Sequence, residues 1–128
     1  MKRSLFLSSA LLVPLLALAG SPATATIDSA CTPHNATLVV PAGQTASGFS
    51  VAALTNGSKC VVGGVPDNKG WGITNSAGAK VYAWSQWQRG APSEVGGALA
   101  GLTLGAGTYA IYVDGGNGAA ATINYTLK

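Results

Sequence analysis

Charged side chains are scarce in this chain. Only 9% of its 128 residues are charged, four residues are acidic, and there is a single histidine. Catalysis by paired carboxylates, or by a nucleophile with a histidine base, requires such groups close together. His34 stands alone, and Asp67, Glu94 and Asp114 lie in segments rich in Gly, Asn or Pro, where acids commonly cap turns. We therefore predict that the chain is not an enzyme.

Clusters of basic residues are also missing. Nucleic-acid binding requires grouped Lys and Arg that displace phosphate counterions, whereas the cations here are spread singly. The oxygen atoms of Asp67-Asn68, and of Asp114 with Asn117, do not follow an EF-hand spacing. We therefore expect no nucleic acid, no metal and no cofactor among the partners.

The N-terminal segment has the parts of a secretory signal. Lys2 and Arg3 precede an apolar run from Leu5 to Ala19, and Ala23-Thr24-Ala25 forms a small-residue exit. The run is shorter than the roughly 20 apolar residues that span a bilayer. We predict a signal peptide over 1–25, a single mature domain over 26–128, and a secreted protein that is extracellular or periplasmic.

Ala17-Leu18-Ala19 offers a second exit, which would place the mature N-terminus near Gly20. Cleavage after Ala25 would leave five basic residues against four acidic ones, a net charge of +1. Such a low charge density gives little electrostatic steering toward an anionic surface.

Two cysteines, Cys31 and Cys60, would enter an oxidising compartment together. They lack the Cys-x-x-Cys spacing and the neighbouring His residues of a metal or redox site. A disulfide between them is the expected arrangement. It would close a loop of about thirty residues and stabilise the fold by on the order of 3 kcal/mol.

The remaining composition is typical of an all-β domain, because Gly, Val, Ile, Thr and Tyr are plentiful and no helical stripe is present. We predict a small antiparallel β-sandwich or jelly roll. Turn-forming segments separate the candidate strands, and only the stretch 91–104 has room for a helical turn. The candidate strands are Ala36–Val40, Gly48–Ala53, Gly72–Asn75, Lys80–Trp87, Gly97–Thr103, Thr108–Val113 and Ala120–Leu127.

The last two candidate strands alternate clearly. Tyr109, Ile111 and Val113 share one face, and the next strand repeats this pattern from Ile123. The segment DGGNG between them supplies residues that adopt positive φ. The pattern therefore predicts a hairpin between these strands.

These segments resemble a known family. The turn and strand NSAGAKVYAW, followed by LTLGAGTYAIYVDGGNGAAATINYTL, are similar to the pre-peptidase C-terminal domain, a secreted bacterial β-sandwich commonly appended to exported enzymes. The likeness covers about Thr37 to Leu127 and is strongest at Gly107-Thr108-Tyr109. The resemblance implies a non-catalytic module. Segment 69–74 lacks the paired carboxylates that often occur in the family, so its calcium site is not expected here.

Aromatic residues crowd into one part of the chain. Trp71, Tyr82, Trp84 and Trp87 lie within seventeen residues of each other. Such rings either fill the core or form a stacking platform for sugars. Tyr82 and Trp84 share a strand face and are the candidate ligand-binding pair, with Gln86 as their polar partner.

The sequence thus predicts a secreted module that binds a polysaccharide or a protein surface. A first alternative is a structural cell-envelope protein that self-assembles through its weakly charged strands. A second is an inhibitor or accessory of a secreted hydrolase, acting through the polar connection Trp87 to Val95.

Overall fold

A computed structural model of the chain describes residues 22–58, 69–87 and 90–128. These residues form nine strands and one short 3-10 helix, Leu99–Gly101. The strands are β1 (Ala23–Ile27), β2 (Pro33–His34), β3 (Ala36–Val40), β4 (Ala46–Thr55), β5 (Lys69–Thr74), β6 (Lys80–Gln86), β7 (Ser93–Val95), β8 (Gly107–Asp114) and β9 (Ala120–Leu127).

The strands form two antiparallel sheets. One has four strands in the order β2-β1-β9-β4, and the other has five in the order β3-β8-β5-β6-β7. Buried side chains from both sheets belong to one hydrophobic core. The prediction of an all-β, sandwich-like fold is therefore confirmed.

The predicted strand positions agree with the structure at most places. Ala36–Val40 and Ala120–Leu127 are strands with the predicted bounds. The strand predicted over Gly97–Thr103 is wrong, because this segment contains the 3-10 helix. Gly96 and Gly97 precede that helix with φ of 91° and 88°, a left-handed conformation that interrupts an extended chain.

The hairpin predicted at the C-terminal end is also wrong. The strands exist and their apolar faces are inward, with Ile111 and Ile123 fully buried, but β8 and β9 belong to different sheets. The loop between them crosses the sandwich and is held by other segments. The N–H of Gly118 donates to the carbonyl of Ile27 at 2.7 Å, and that of Gly116 donates to Asn56 at 2.9 Å. Alternation reveals which face is buried and does not reveal the partner strand.

Strand β1 lies inside the four-stranded sheet and was not predicted. Its small side chains point alternately into the core, and Ala25 pairs directly with Ala121 of β9. Both alanines have no exposed surface. The three residues Ala23, Thr24 and Ala25, which match a signal-peptide exit, are thus an integral part of this strand.

A tight turn follows β1 and carries Cys31. The side-chain oxygen Oδ1 of Asp28 accepts the N–H groups of Ala30 and Thr32, both at 2.9 Å. Cys31 adopts a positive φ of 64° within this turn. Its predicted partner Cys60 lies outside the described residues, so the disulfide stays a prediction.

Candidate functional site

The hairpin of β5 and β6 positions the aromatic cluster. The two strands are joined by the segment NSAGA, where Oδ1 of Asn75 accepts the N–H groups of Ala77 and Ala79 at 3.0 Å. Gly78 supplies the positive φ of 83° that closes the turn. A turn between these two candidate strands is therefore confirmed, and it fixes the register of the two strands.

That register aligns three side chains of the candidate site across the five-stranded sheet. Trp71 of β5 lies directly opposite Trp84 of β6, and Trp84 lies opposite Glu94 of β7. Directly paired residues of antiparallel strands project to the same face. Trp71, Trp84 and Glu94 therefore form one row on the face that covers the core, and Tyr82 occupies the next row, opposite Ile73.

This row forms one wall of a pocket between the two sheets. The cavity measures about 330 Å³ and its lining is mostly apolar. The five-stranded sheet contributes Trp71, Tyr82, Trp84 and Glu94. The opposite side is closed by Val51 and Leu54 of β4 and by Leu99 of the 3-10 helix. Val51 and Glu94 are exposed, so the pocket borders the solvent.

An irregularity in β4 brings both of its side chains to the pocket. Val51 and Leu54 are three residues apart, so regular alternation would place them on opposite faces. The register with β9 shifts between Thr122 and Ile123, which pair with Ala53 and Val51. This bulge returns Leu54 to the same face as Val51.

The polar end of the pocket is a single hydrogen bond. The Tyr82 hydroxyl donates to Oε2 of Glu94 at 2.5 Å. Burial, and then this hydrogen bond to the carboxylate, raise the pKa of Tyr82 well above its ordinary value. The phenol therefore stays neutral and remains the donor, which orients the Glu94 side chain toward the aromatic wall.

Gly96 allows β7 to pack against β6 at this position. A Cβ atom at Gly96 would lie 2.2 Å from the backbone carbonyl oxygen of Val81, well inside contact distance. Its φ of 91° also disfavours a side chain. This glycine is therefore required where β7 leaves the sheet, two residues after Glu94.

The aromatic residues singled out in the sequence occupy different environments. Trp71 and Tyr82 are each 1% exposed and pack with ring centroids 5.1 Å apart. Trp84 is half-buried and lines the pocket, whereas Trp87 is 60% exposed and lies outside its lining.

The polar residue of the pocket was not the one that the sequence suggested. Gln86 is half-buried and is not part of the lining. Glu94 takes the polar position instead. From the sequence, Glu94 was assigned to a turn. Strand β7 has only three residues, and the pairing of Glu94 with Trp84 leaves no pattern in the local sequence.

The other candidate groups lie apart from the pocket lining. His34 contacts Asp28 through Nε2 and Oδ2 at 2.9 Å, and both side chains are largely exposed. Within the described ranges no three His, Cys, Asp or Glu side chains are grouped to hold a metal ion. The same ranges contain no helix long and apolar enough to cross a membrane. Asp67 and Asn68 lie outside them.

Comparison with known proteins finds no matching family model, no significantly similar curated protein and no significantly similar solved structure.

Proposed function

We propose that this chain is an exported, non-catalytic β-sandwich module that binds one anchor group of a polysaccharide or of an extracellular protein. The observation that supports this proposal is the convergence of Trp71, Tyr82 and Trp84 on a cavity of about 330 Å³ at the edge of the core. Concave, mostly apolar sites with a few oriented polar groups are typical of ligand binding. The resemblance to the pre-peptidase C-terminal domain is consistent with a non-catalytic module.

The size of the cavity limits the ligand. Pockets for small molecules range from about 300 to 1,000 Å³, and this one lies at the lower end. It has room for one ring or one side chain rather than for a polymer chain. A polymer or protein would therefore present a single projecting group to the pocket and remain otherwise outside it.

Three residues of the site have distinct roles in the proposed binding. Trp84, which is half-buried, would stack on the ligand. Tyr82 would hold Glu94 in place through its hydroxyl. The polar partner would be Glu94 rather than Gln86, because only Glu94 belongs to the lining.

Export requires removal of the N-terminal segment without damage to β1. Cleavage after Ala25 would remove three of the five residues of this strand, including the fully buried Ala25. Cleavage after Ala19 would leave the strand intact. We therefore place the mature N-terminus at Gly20, and the intact mass of the exported protein distinguishes the two sites.

Binding can be tested by substitution of matched tryptophans. Trp84→Ala removes the proposed stacking ring, whereas Trp87→Ala removes an exposed ring outside the pocket. The wild type and both variants would be assayed by pull-down on insoluble polysaccharides and by affinity capture of extracellular proteins. Retention that falls in Trp84→Ala and persists in Trp87→Ala supports the proposal. Equal retention of all three proteins would contradict it.

A second candidate function is self-association through β4. This strand has ten residues and forms one edge of the four-stranded sheet. Leu104 bridges to the strand at Ala46, and Val51 farther along is 41% exposed. Exposed edges pair with other chains. Light scattering would detect concentration-dependent oligomers, and Ala53→Lys, at an exposed position of β4 outside the pocket lining, should abolish them.

A further inference from the structure

The chemistry of the pocket selects among anchor groups. Its lining combines the rings of two tryptophans and one tyrosine with three aliphatic side chains and one carboxylate, that of Glu94. Aromatic faces carry negative partial charge and attract cations, with tryptophan the strongest. The rings and the carboxylate therefore both favour a positively charged ligand group.

Among the described residues, the Glu94 carboxylate has no cationic partner. The ion pair found there joins His34 and Asp28. One of its oxygens accepts the Tyr82 hydroxyl. Lys80, a cation on the adjoining strand β6, lies 5.7 Å from the ring centre of Tyr112 and is not part of the pocket lining. Among the described residues, therefore, no cation neutralises the negative charge at the pocket.

A neutral sugar ring fits this lining less well. Its hydroxyl groups need several hydrogen-bond partners when they leave water. The pocket lining offers two polar side chains, Tyr82 and Glu94, which already bond to each other. A primary ammonium would likewise give up hydrogen bonds to water. A methylated ammonium loses fewer hydrogen bonds to water, and the aliphatic side chains of Val51, Leu54 and Leu99 offer apolar surface for methyl groups.

From this lining we propose that the pocket binds a trimethylammonium group, with the cation between the half-buried Trp84 ring and the Glu94 carboxylate and the buried Trp71 and Tyr82 rings behind it. This inference rests on the proposed function, because it assigns the ligand class of the same pocket. The group occurs in choline substituents and headgroups and in methylated lysine. All of these sources present the same compact, positively charged apolar surface.

The direct test compares choline with its neutral isostere, in which a carbon atom replaces the quaternary nitrogen. Calorimetric titration of the mature protein should show choline binding at least about tenfold more tightly. Added salt should weaken choline binding, because the site borders the solvent. Equal affinities, or no binding of choline, would overturn the inference. Equal affinities would leave the pocket as a binding site, so the proposed function would survive.

Variants separate the charge from the shape of the site. Glu94→Gln retains an oxygen that accepts the Tyr82 hydroxyl and removes the charge, and it should weaken choline about tenfold. Asp114→Asn is the matched control, because it removes one carboxylate outside the pocket lining, and it should bind like the wild type. Tyr82→Phe keeps the ring and the charge but removes the hydroxyl that positions Glu94, so it should weaken choline binding less than Glu94→Gln does. Unchanged affinity in Glu94→Gln would contradict the inference.

The possible natural sources of the trimethylammonium group can be distinguished with the same protein. Phosphatidylcholine vesicles, choline and a peptide with trimethylated lysine would be titrated in parallel. Vesicle binding that free choline displaces would assign the site to a lipid headgroup, and preference for the peptide would assign it to a protein. Failure of all three to bind would overturn the inference.

Discussion

The two halves of the core are built from different side chains. The region between β1 and β9 of one sheet and β3 and β8 of the other, which we call the closed half, is filled mainly by small and aliphatic residues, with Tyr125 of β9 as a buried aromatic ring. Ala25, Ile111 and Ile123 have no exposed surface there. Between β4 and strands β5 to β7, which we call the open half, large aromatic rings form one wall of a cavity of about 330 Å³.

On the proposed function, this difference separates the residues that stabilise the sandwich from those that bind its ligand. Buried alanine and aliphatic side chains contribute hydrophobic stabilisation in the closed half. The open half is not completely buried, since Val51 and Glu94 remain exposed at the cavity. Substitutions should therefore affect stability most in the closed half and binding most in the open half.

The largest stability effect is expected at the centre of the closed half. Ile111→Ala removes a fully buried side chain and should lower the free energy of unfolding by about 2–5 kcal/mol. Urea denaturation monitored by tryptophan fluorescence measures this loss. Val39→Ala, at a neighbouring strand position that is 55% exposed, should change stability by less than about 0.5 kcal/mol. Similar losses in both variants would contradict the distinction.

The predicted disulfide should also stabilise the closed half, since Cys31 follows β1. The double variant Cys31→Ser/Cys60→Ser should lose on the order of 3 kcal/mol. Treating the wild type with a reductant should cause a similar loss and leave the double variant unchanged. A reductant without effect on the wild type would show that the bond does not form.

Trp84→Ala sharpens the comparison from the open half. Because Trp84 is half-buried at an existing cavity, its removal should cost only about 1–2 kcal/mol of stability, less than Ile111→Ala. Ligand binding should nevertheless be lost. Trp84→Phe retains an aromatic face and should recover part of the affinity. A stability loss as large as that of Ile111→Ala would place Trp84 in the sealed core.

The smallest effect concerns pH and the turn after β1. The hydrogen bond from His34, and then the N–H of Thr32, lower the pKa of Asp28 from its ordinary value of 3.8. The unfolded chain therefore binds the proton more readily, so Asp28 stabilises the fold above that value. This contribution is lost as the pH falls through the lowered pKa.

Asp28→Asn should consequently flatten the acid limb of the stability profile, measured as the melting temperature between about pH 5 and pH 2. His34→Ala should return the pKa of Asp28 toward its ordinary value in an NMR titration. An acid limb that is unchanged in Asp28→Asn would exclude the carboxylate as its source.

Much of the fold could be predicted from local patterns. Period-two alternation and turn residues located β3, β9 and the turn between β5 and β6. Strand pairing could not be predicted, because alternation identifies a buried face and not the neighbour. For that reason β8 and β9 resemble a hairpin although they lie in different sheets. β1 was missed because Ala23-Thr24-Ala25 matches both a signal exit and a strand of small residues.

The site was predictable only in part. Because side chains alternate along a strand, Tyr82 and Trp84 were predicted to share one face of β6, and both line the pocket. Glu94 depends on its pairing with Trp84 across two strands, and Leu54 depends on the irregularity in β4. Both arise from tertiary contacts that leave no local sequence signal.

Acrylamide quenching of tryptophan fluorescence in a Trp87→Phe variant tests the open half most directly. This variant removes the exposed ring and leaves Trp71, which is 1% exposed, and Trp84, which is half-buried at the pocket. We predict that acrylamide partly quenches the emission of the Trp87→Phe variant and that choline reduces this quenching. In the double variant Trp84→Phe/Trp87→Phe the quenching should disappear. Emission that acrylamide does not quench, with or without Trp84, would show that this half of the core is closed and would contradict a binding pocket there.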